Sequence, residues 1–227
     1  MGTDVIMKYF TPEFTAFLSE LEKNNNRDWF QANKARYEQH VKNPFYHFIN
    51  DLIIRISDLE GPIPMEAKDA IFRINRDIRF SKNKSPYKTH MAAFISRYGK
   101  KDKGKPALYF QASPTDVRLY SGVYALDKTS LHQLRSHIAA FPKAFQATID
   151  DPVFHHHFKE ILGEKNKRIP KEFEEAAEKQ PLIYNKNFYF FKKLPAAFLL
   201  EEPLINSLSK FYQACKPVRD FLTAGLK

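Results

Sequence analysis

The chain has 227 residues, a net charge of +10, seven glycines and one cysteine. That length fits one large domain or two small ones, and a chain this long buries well over half of its unfolded surface, so it needs no disulfide or metal staple. A lone cysteine excludes an intramolecular disulfide and a cysteine-based zinc site, and the scarcity of glycine argues against a glycine-rich nucleotide loop.

Thr11-Pro12-Glu13 reads as a helix start, with Thr as N-cap, Pro in the first turn and an acid behind it. Phe14, Phe17, Leu18 and Leu21 continue it with an apolar stripe at helical spacing. A second helix is predicted from Asn26 or Asp28 through Trp29, Phe30 and Tyr37 towards Val41. A third opens at Pro44, with Phe45, Phe48, Ile49, Leu52 and Ile56 on one face, and Gly61-Pro62 ends the helical third of the chain.

The period then changes. Phe72, Ile74, Ile78 and Phe80 alternate with Arg73, Asn75, Asp77 and Arg79, which is strand spacing. Met91 to Tyr98, Ala107 to Ala112 and Val117 to Val123 read as further strands, the last two joined by the turn Ser113-Pro114-Thr115-Asp116. Helix returns at Asp127, with Leu131, Leu134, Ile138 and Phe141 as its buried row. Pro142 and Pro152 open shorter helices, Asn187 to Phe191 is an aromatic extended segment, and Pro203 to Leu222 closes with an amphipathic helix. With no internal repeat, the expectation is one α+β domain over residues 1–227. Its central antiparallel sheet comes from the middle of the chain and is covered by N- and C-terminal helices.

No apolar run approaches the roughly 18 residues that span a bilayer. The opening Met1 to Phe10 lacks a basic stretch followed by an apolar one. A cytoplasmic protein without a membrane partner is expected.

Charge is concentrated. Between Ile71 and Lys105 stand eleven basic residues against Asp77 and Asp102, so this segment carries +9 of the net +10 and focuses a positive field. On a strand Arg73, Asp77 and Arg79 would share a face, a carboxylate flanked by two guanidinium groups. Arginine suits such a place because its planar donors match phosphate and carboxylate oxygens in pairs. Past Phe80 the run Ser81 to Pro86 is polar and turn-rich, which lets Lys84, Tyr87 and Lys88 fold back beside the arginines. The candidate anion-binding set is therefore Arg73, Arg76, Asp77, Arg79, Lys84, Tyr87 and Lys88. Its plain structural counterpart is an ion-pair network that fixes the sheet and holds no ligand.

The pattern Arg73-x-x-Arg76-Asp77-x-Arg79-Phe80-x-x-x-Lys84-x-x-Tyr87 resembles the signature of the family called domain of unknown function 2461. The likeness extends to Asn25 through Phe30 and to Arg168 through Phe173. It implies a shared fold and a shared site at the basic motif, and it implies no reaction.

Elsewhere the signals are weaker. Adjacent residues on a helix point about 100° apart, so His155-His156-His157 does not converge on an ion, and no metal or cofactor is expected. Cys215 reads as packing. Trp29 and Phe30 read as core anchors, and Lys186, Lys192 and Lys193 as chains snorkelling from an aromatic segment. Three functions stay open on the sequence. One is a pocket for a phosphorylated or carboxylated small molecule, with or without catalysis. The second is a nucleic-acid surface over residues 71–105, and the third a scaffold whose Arg-Asp-Arg network is structural.

Overall fold

A computed structural model describes residues 8–201 and 203–226. The opening residues on which the expectation of no leader partly rests, Met1 to Met7, lie outside them. The fold is α+β: an antiparallel sheet of four strands, in the order β1-β2-β3-β4, comes from the middle of the chain with helices on either side in sequence. The strands are β1 (Met91–Ile95), β2 (Ala107–Ala112), β3 (Asp116–Val123) and β4 (Phe188–Pro195).

The described residues gather into two compact units. The first holds those up to Ile95 together with Tyr109–Leu119 and Lys193–Ser209. The second holds Ser96–Leu108, Tyr120–Lys192 and those from Lys210 onward.

In the first unit, helix α1 (Pro12–Lys23) buries the four apolar residues of its stripe, Phe14, Phe17, Leu18 and Leu21. The predicted second helix is broken into α2 (Arg27–Ala32), α3 (Lys34–Tyr37) and a π-helical turn (Glu38–Lys42). Asn33 sits at the first break, and its side-chain amide donates to the Trp29 carbonyl at 2.9 Å, a local bond that competes with the helical ladder. The long helix α4 (Asn43–Glu60) buries Phe45, Phe48, Ile49, Leu52 and Ile56, and Gly61 ends it at φ +88°, a conformation glycine adopts without a Cβ penalty. A short helix α5 (Ala67–Ala70) leads to the basic segment.

Aromatic rings dominate this core: Phe10 meets Phe14 at 4.7 Å between centroids, and Phe48 meets Phe110 of β2 at 4.9 Å. Such pairs add to area burial, about 0.5–1.5 kcal/mol each. Arg36 ties α3 to α1 through both oxygens of Glu20, at 2.6 and 2.8 Å, and through Glu13 at 3.1 Å.

In the second unit, Asp127 caps α6 (Lys128–Ala140) by accepting from the Ser130 amide at 2.7 Å. Leu134 and Ile138 are buried as the periodicity predicts, whereas Phe141, predicted in the same row, follows the helix end and is exposed. Helices α7 (Pro142–Ile149), α8 (Pro152–Phe158) and α9 (Glu174–Lys179) follow, the first two opening at their prolines as expected. Their core gathers Phe145, Phe154, Phe173, Phe188, Phe190 and Leu222. The predicted closing helix is two helices, α10 (Leu204–Ala214) and α11 (Lys216–Ala224), with Cys215 between them. Pro217 explains the break, since it lacks an amide hydrogen and its ring collides with the carbonyl four residues back. Among the described residues no helix is long and apolar enough to cross a membrane.

Candidate anion-binding loop

The alternating segment 72–80 is not a strand. It belongs to an irregular hairpin in the first unit, held at two isolated antiparallel bridges, Ile71 with Ala93 and Asn75 with Tyr87. Two further backbone bonds close its base, from Arg76 to the Pro86 carbonyl and from Lys88 to the Ile74 carbonyl, both 2.8 Å. Beyond them the ladder stops. Pro86 has no amide hydrogen to continue it, and Asp77 Oδ1 accepts the Arg79 amide at 3.2 Å, turning the chain locally. Of the four apolar residues that set the strand pattern, only Ile74 is buried, and Phe80 is 96% exposed.

The loop gives each basic residue a different setting. Arg79 grips Asp77 with two parallel bonds, Nε to Oδ1 at 3.0 Å and Nη2 to Oδ2 at 2.7 Å. That guanidinium, with Arg73 adding a smaller share, holds the Asp77 carboxyl below the ordinary carboxylate range. Asp77 therefore stays ionised and keeps Arg79 in place. Arg76 turns the other way and spans the loop, donating to the Ser85 carbonyl at 3.1 Å and to the Ser81 hydroxyl at 3.3 Å. Lys84 donates to the Ile78 carbonyl at 3.0 Å, and Lys88 to the Arg73 carbonyl at 2.8 Å. Both lysines thus fold back as the polar run predicts. Arg73 and Lys82 are exposed, and neither makes an ion pair among the described residues.

Tyr87 is placed differently from its basic neighbours. It is 5% exposed and its ring stacks on Phe30 at 4.1 Å and 17°. Asn25 completes its backbone: Oδ1 accepts from the Tyr87 amide and Nδ2 donates to the Tyr87 carbonyl, both at 3.0 Å. Asn26 caps α2 by accepting from the Trp29 amide at 2.9 Å, which presents Phe30 to this contact. Asn25–Phe30 and the basic motif, joined through Asn25 and Tyr87, which stand 62 residues apart in sequence, are therefore one construction. The family model described as conserved hypothetical protein (DUF2461) matches residues 13–221. The chain belongs to this family. No curated protein matches the chain. In this DUF2461 chain all three stretches that carry the likeness, Asn25–Phe30, Arg73–Tyr87 and Arg168–Phe173, lie within the matched residues.

Sequence reasoning passed over a second charged cluster in the first unit. Arg118 on β3 donates to Asp116 through Nε at 3.0 Å and Nη2 at 2.9 Å, and Lys193 on β4 lies 3.3 Å from the same carboxylate. Arg118, then Lys193 and Ser113, hold the Asp116 carboxyl below its ordinary range. His90 is half-buried nearby, and burial, reinforced by Lys88 and Arg118, pushes its imidazole below the ordinary value. The Asp116-x-Arg118 spacing was a legible sign of a shared strand face, but Lys193 reaches Asp116 from a distant strand, β4.

The remaining sequence candidates belong to the second unit. His155, His156 and His157 lie on α8 in the second unit, with His157 packed edge-on against Phe211 at 4.9 Å. Among the described residues no three His, Cys, Asp or Glu side chains gather as a metal site. Cys215 is buried, its thiol donating to the Tyr212 carbonyl at 3.2 Å.

Proposed function

We propose that the 73–88 loop is an anion-binding surface for a phosphorylated or carboxylated small molecule in a reducing, cytoplasmic setting. What carries the reading is the pairing inside the loop. Its one carboxylate, Asp77, is committed to Arg79. Arg76 and Lys84 are anchored by neutral oxygens, which orient a cation without cancelling its charge. Arg73 and Lys82 add two exposed cations. The loop is therefore a positive field on a braced backbone, and Asp77 serves to position Arg79 for a ligand's oxygens. The reducing setting is supported by the single cysteine, which is buried.

A nucleic-acid ligand is the second reading, favoured by one observation: the exposed Phe80 ring has the Arg79 guanidinium 5.9 Å from its centroid, a pairing suited to stacking on a base. A purely structural role for the Arg79–Asp77 pair has less support, because both side chains are largely open to water, where ion pairs stabilise little.

The test is a thermal-shift series at low salt with phosphate, pyrophosphate, citrate and a single-stranded oligonucleotide. A ligand that binds only the folded state raises the melting temperature as its concentration grows. The small anions are expected to do so, and Arg73→Gln with Lys82→Gln is expected to remove the rise. A response to the oligonucleotide alone would favour the second reading, and no response to any of them would contradict both.

A further inference from the structure

The Asp116 cluster shares a sheet face of the first unit with Gln111 and Tyr109. In the turn from Ser113 to Asp116 the Ser113 amide donates to the Asp116 carbonyl at 2.9 Å, and antiparallel pairing counted back from it sets Gln111 opposite Arg118. Strand residues two apart share a face, so Tyr109 and Gln111 project with Asp116 and Arg118. Tyr109 is then diagonal to Arg118, about 7–8 Å away. Its hydroxyl donates to Gln111 Oε1 at 3.0 Å, and its ring lies 6.1 Å from Phe72. The Lys88 ammonium is 5.4 Å from the Phe72 ring centroid.

Asp116 is the post of this construction. Its side chain is 4% exposed, and it fixes two cations that remain open to solvent, Arg118 at 38% and Lys193 at 59%. One buried negative charge between two cations leaves the triad net positive, and the ion pairs define where that charge stands. Beside it lies a pair of tilted rings, which offer a π surface to any planar heterocycle.

We propose that this face binds a nucleotide, with its phosphate at Arg118 and Lys193 and its base against Tyr109 and Phe72. The inference does not rest on the loop reading: of the loop's residues only Lys88, at its base, borders this face. A free nucleotide and the end of a single strand present the same base-and-phosphate chemistry.

Calorimetric titration of the intact protein at low salt with adenosine 5′-monophosphate, ribose 5-phosphate and penta-adenylate tests it. The mononucleotide is expected to bind at least about 5-fold more tightly than ribose 5-phosphate, the contribution of one base–aromatic stack. Tyr109→Phe keeps that preference and Tyr109→Leu brings the ratio near one. In a background carrying Arg73→Gln and Lys82→Gln, which silences the loop, Lys193→Gln, at an exposed position that carries little folding risk, weakens both ligands together. Penta-adenylate binding more tightly than the mononucleotide upholds the site with a strand as its source, and equal binding upholds it with the free nucleotide. Equal affinity for the mononucleotide and ribose 5-phosphate overturns the proposal. So does an unaffected Lys193→Gln protein in that background.

Discussion

The side-chain amide of Asn25 supplies both backbone hydrogen bonds of Tyr87, accepting from its amide and donating to its carbonyl at 3.0 Å each. One side chain thus stands in for a neighbouring strand at the place where the basic loop rejoins the core. Asn25→Ala leaves two polar backbone groups beside a buried ring without these partners, and it is expected to destabilise the protein by about 2–4 kcal/mol. Urea unfolding of the variant measures this, and a loss below about 1 kcal/mol would mean that water replaces the amide without penalty.

Tyr87 tests whether the ring or the hydroxyl matters. Its stack on Phe30 makes it a core aromatic, so Tyr87→Ala is expected to cost about 3–5 kcal/mol. Tyr87→Phe keeps the stack and should unfold within about 1 kcal/mol of the parent. If the phenylalanine variant is as unstable as the alanine one, the hydroxyl is the essential group.

Gly122 and Gly99 form a controlled pair. Both have positive φ, +114° and +83°, but a Cβ on Gly122 would come within 2.2 Å of the Phe188 carbonyl oxygen, whereas one on Gly99 meets nothing within 4 Å. Gly99→Ala therefore carries backbone strain alone, about 1–2 kcal/mol. Gly122→Ala adds a clash with the next strand and is expected to exceed about 3 kcal/mol. Thermal melts of the two variants should rank in that order.

His90 sets a pH dependence. Burial, Lys88 and Arg118 lower its folded-state pKa, with Asp116 opposing them. The unfolded chain therefore binds the proton first as pH falls below the ordinary histidine value of about 6.5. Stability from the neutral imidazole is present above that value and is lost as pH drops through the folded one. Urea unfolding at pH 7.5 and 5.5 should show a larger loss for the parent than for His90→Gln, and equal losses would remove His90 as the source.

Much of the fold was legible because helices declare themselves locally. The Thr11-Pro12-Glu13 start and the stripe from Phe14 to Leu21 needed no distant partner to be read, and α1 buries those same four residues. Strands need partners, and the alternation from Phe72 to Phe80 had none to pair with past Arg76. Its period-two pattern records a loop whose polar side chains bond to their own backbone. The likeness of Asn25–Phe30 and of the Arg73–Tyr87 motif to one family was readable, but not that Asn25, Phe30 and Tyr87 meet. Nor did the sequence join Lys193 to Asp116, a contact that exists only once β3 and β4 are paired.

The most direct test of the anion-binding loop is to titrate pyrophosphate at low salt while following backbone amide resonances by heteronuclear NMR. The account predicts saturable shifts concentrated between Arg73 and Lys84, abolished in a variant carrying Arg73→Gln and Lys82→Gln. Shifts confined to other segments, or none at any concentration, would contradict it.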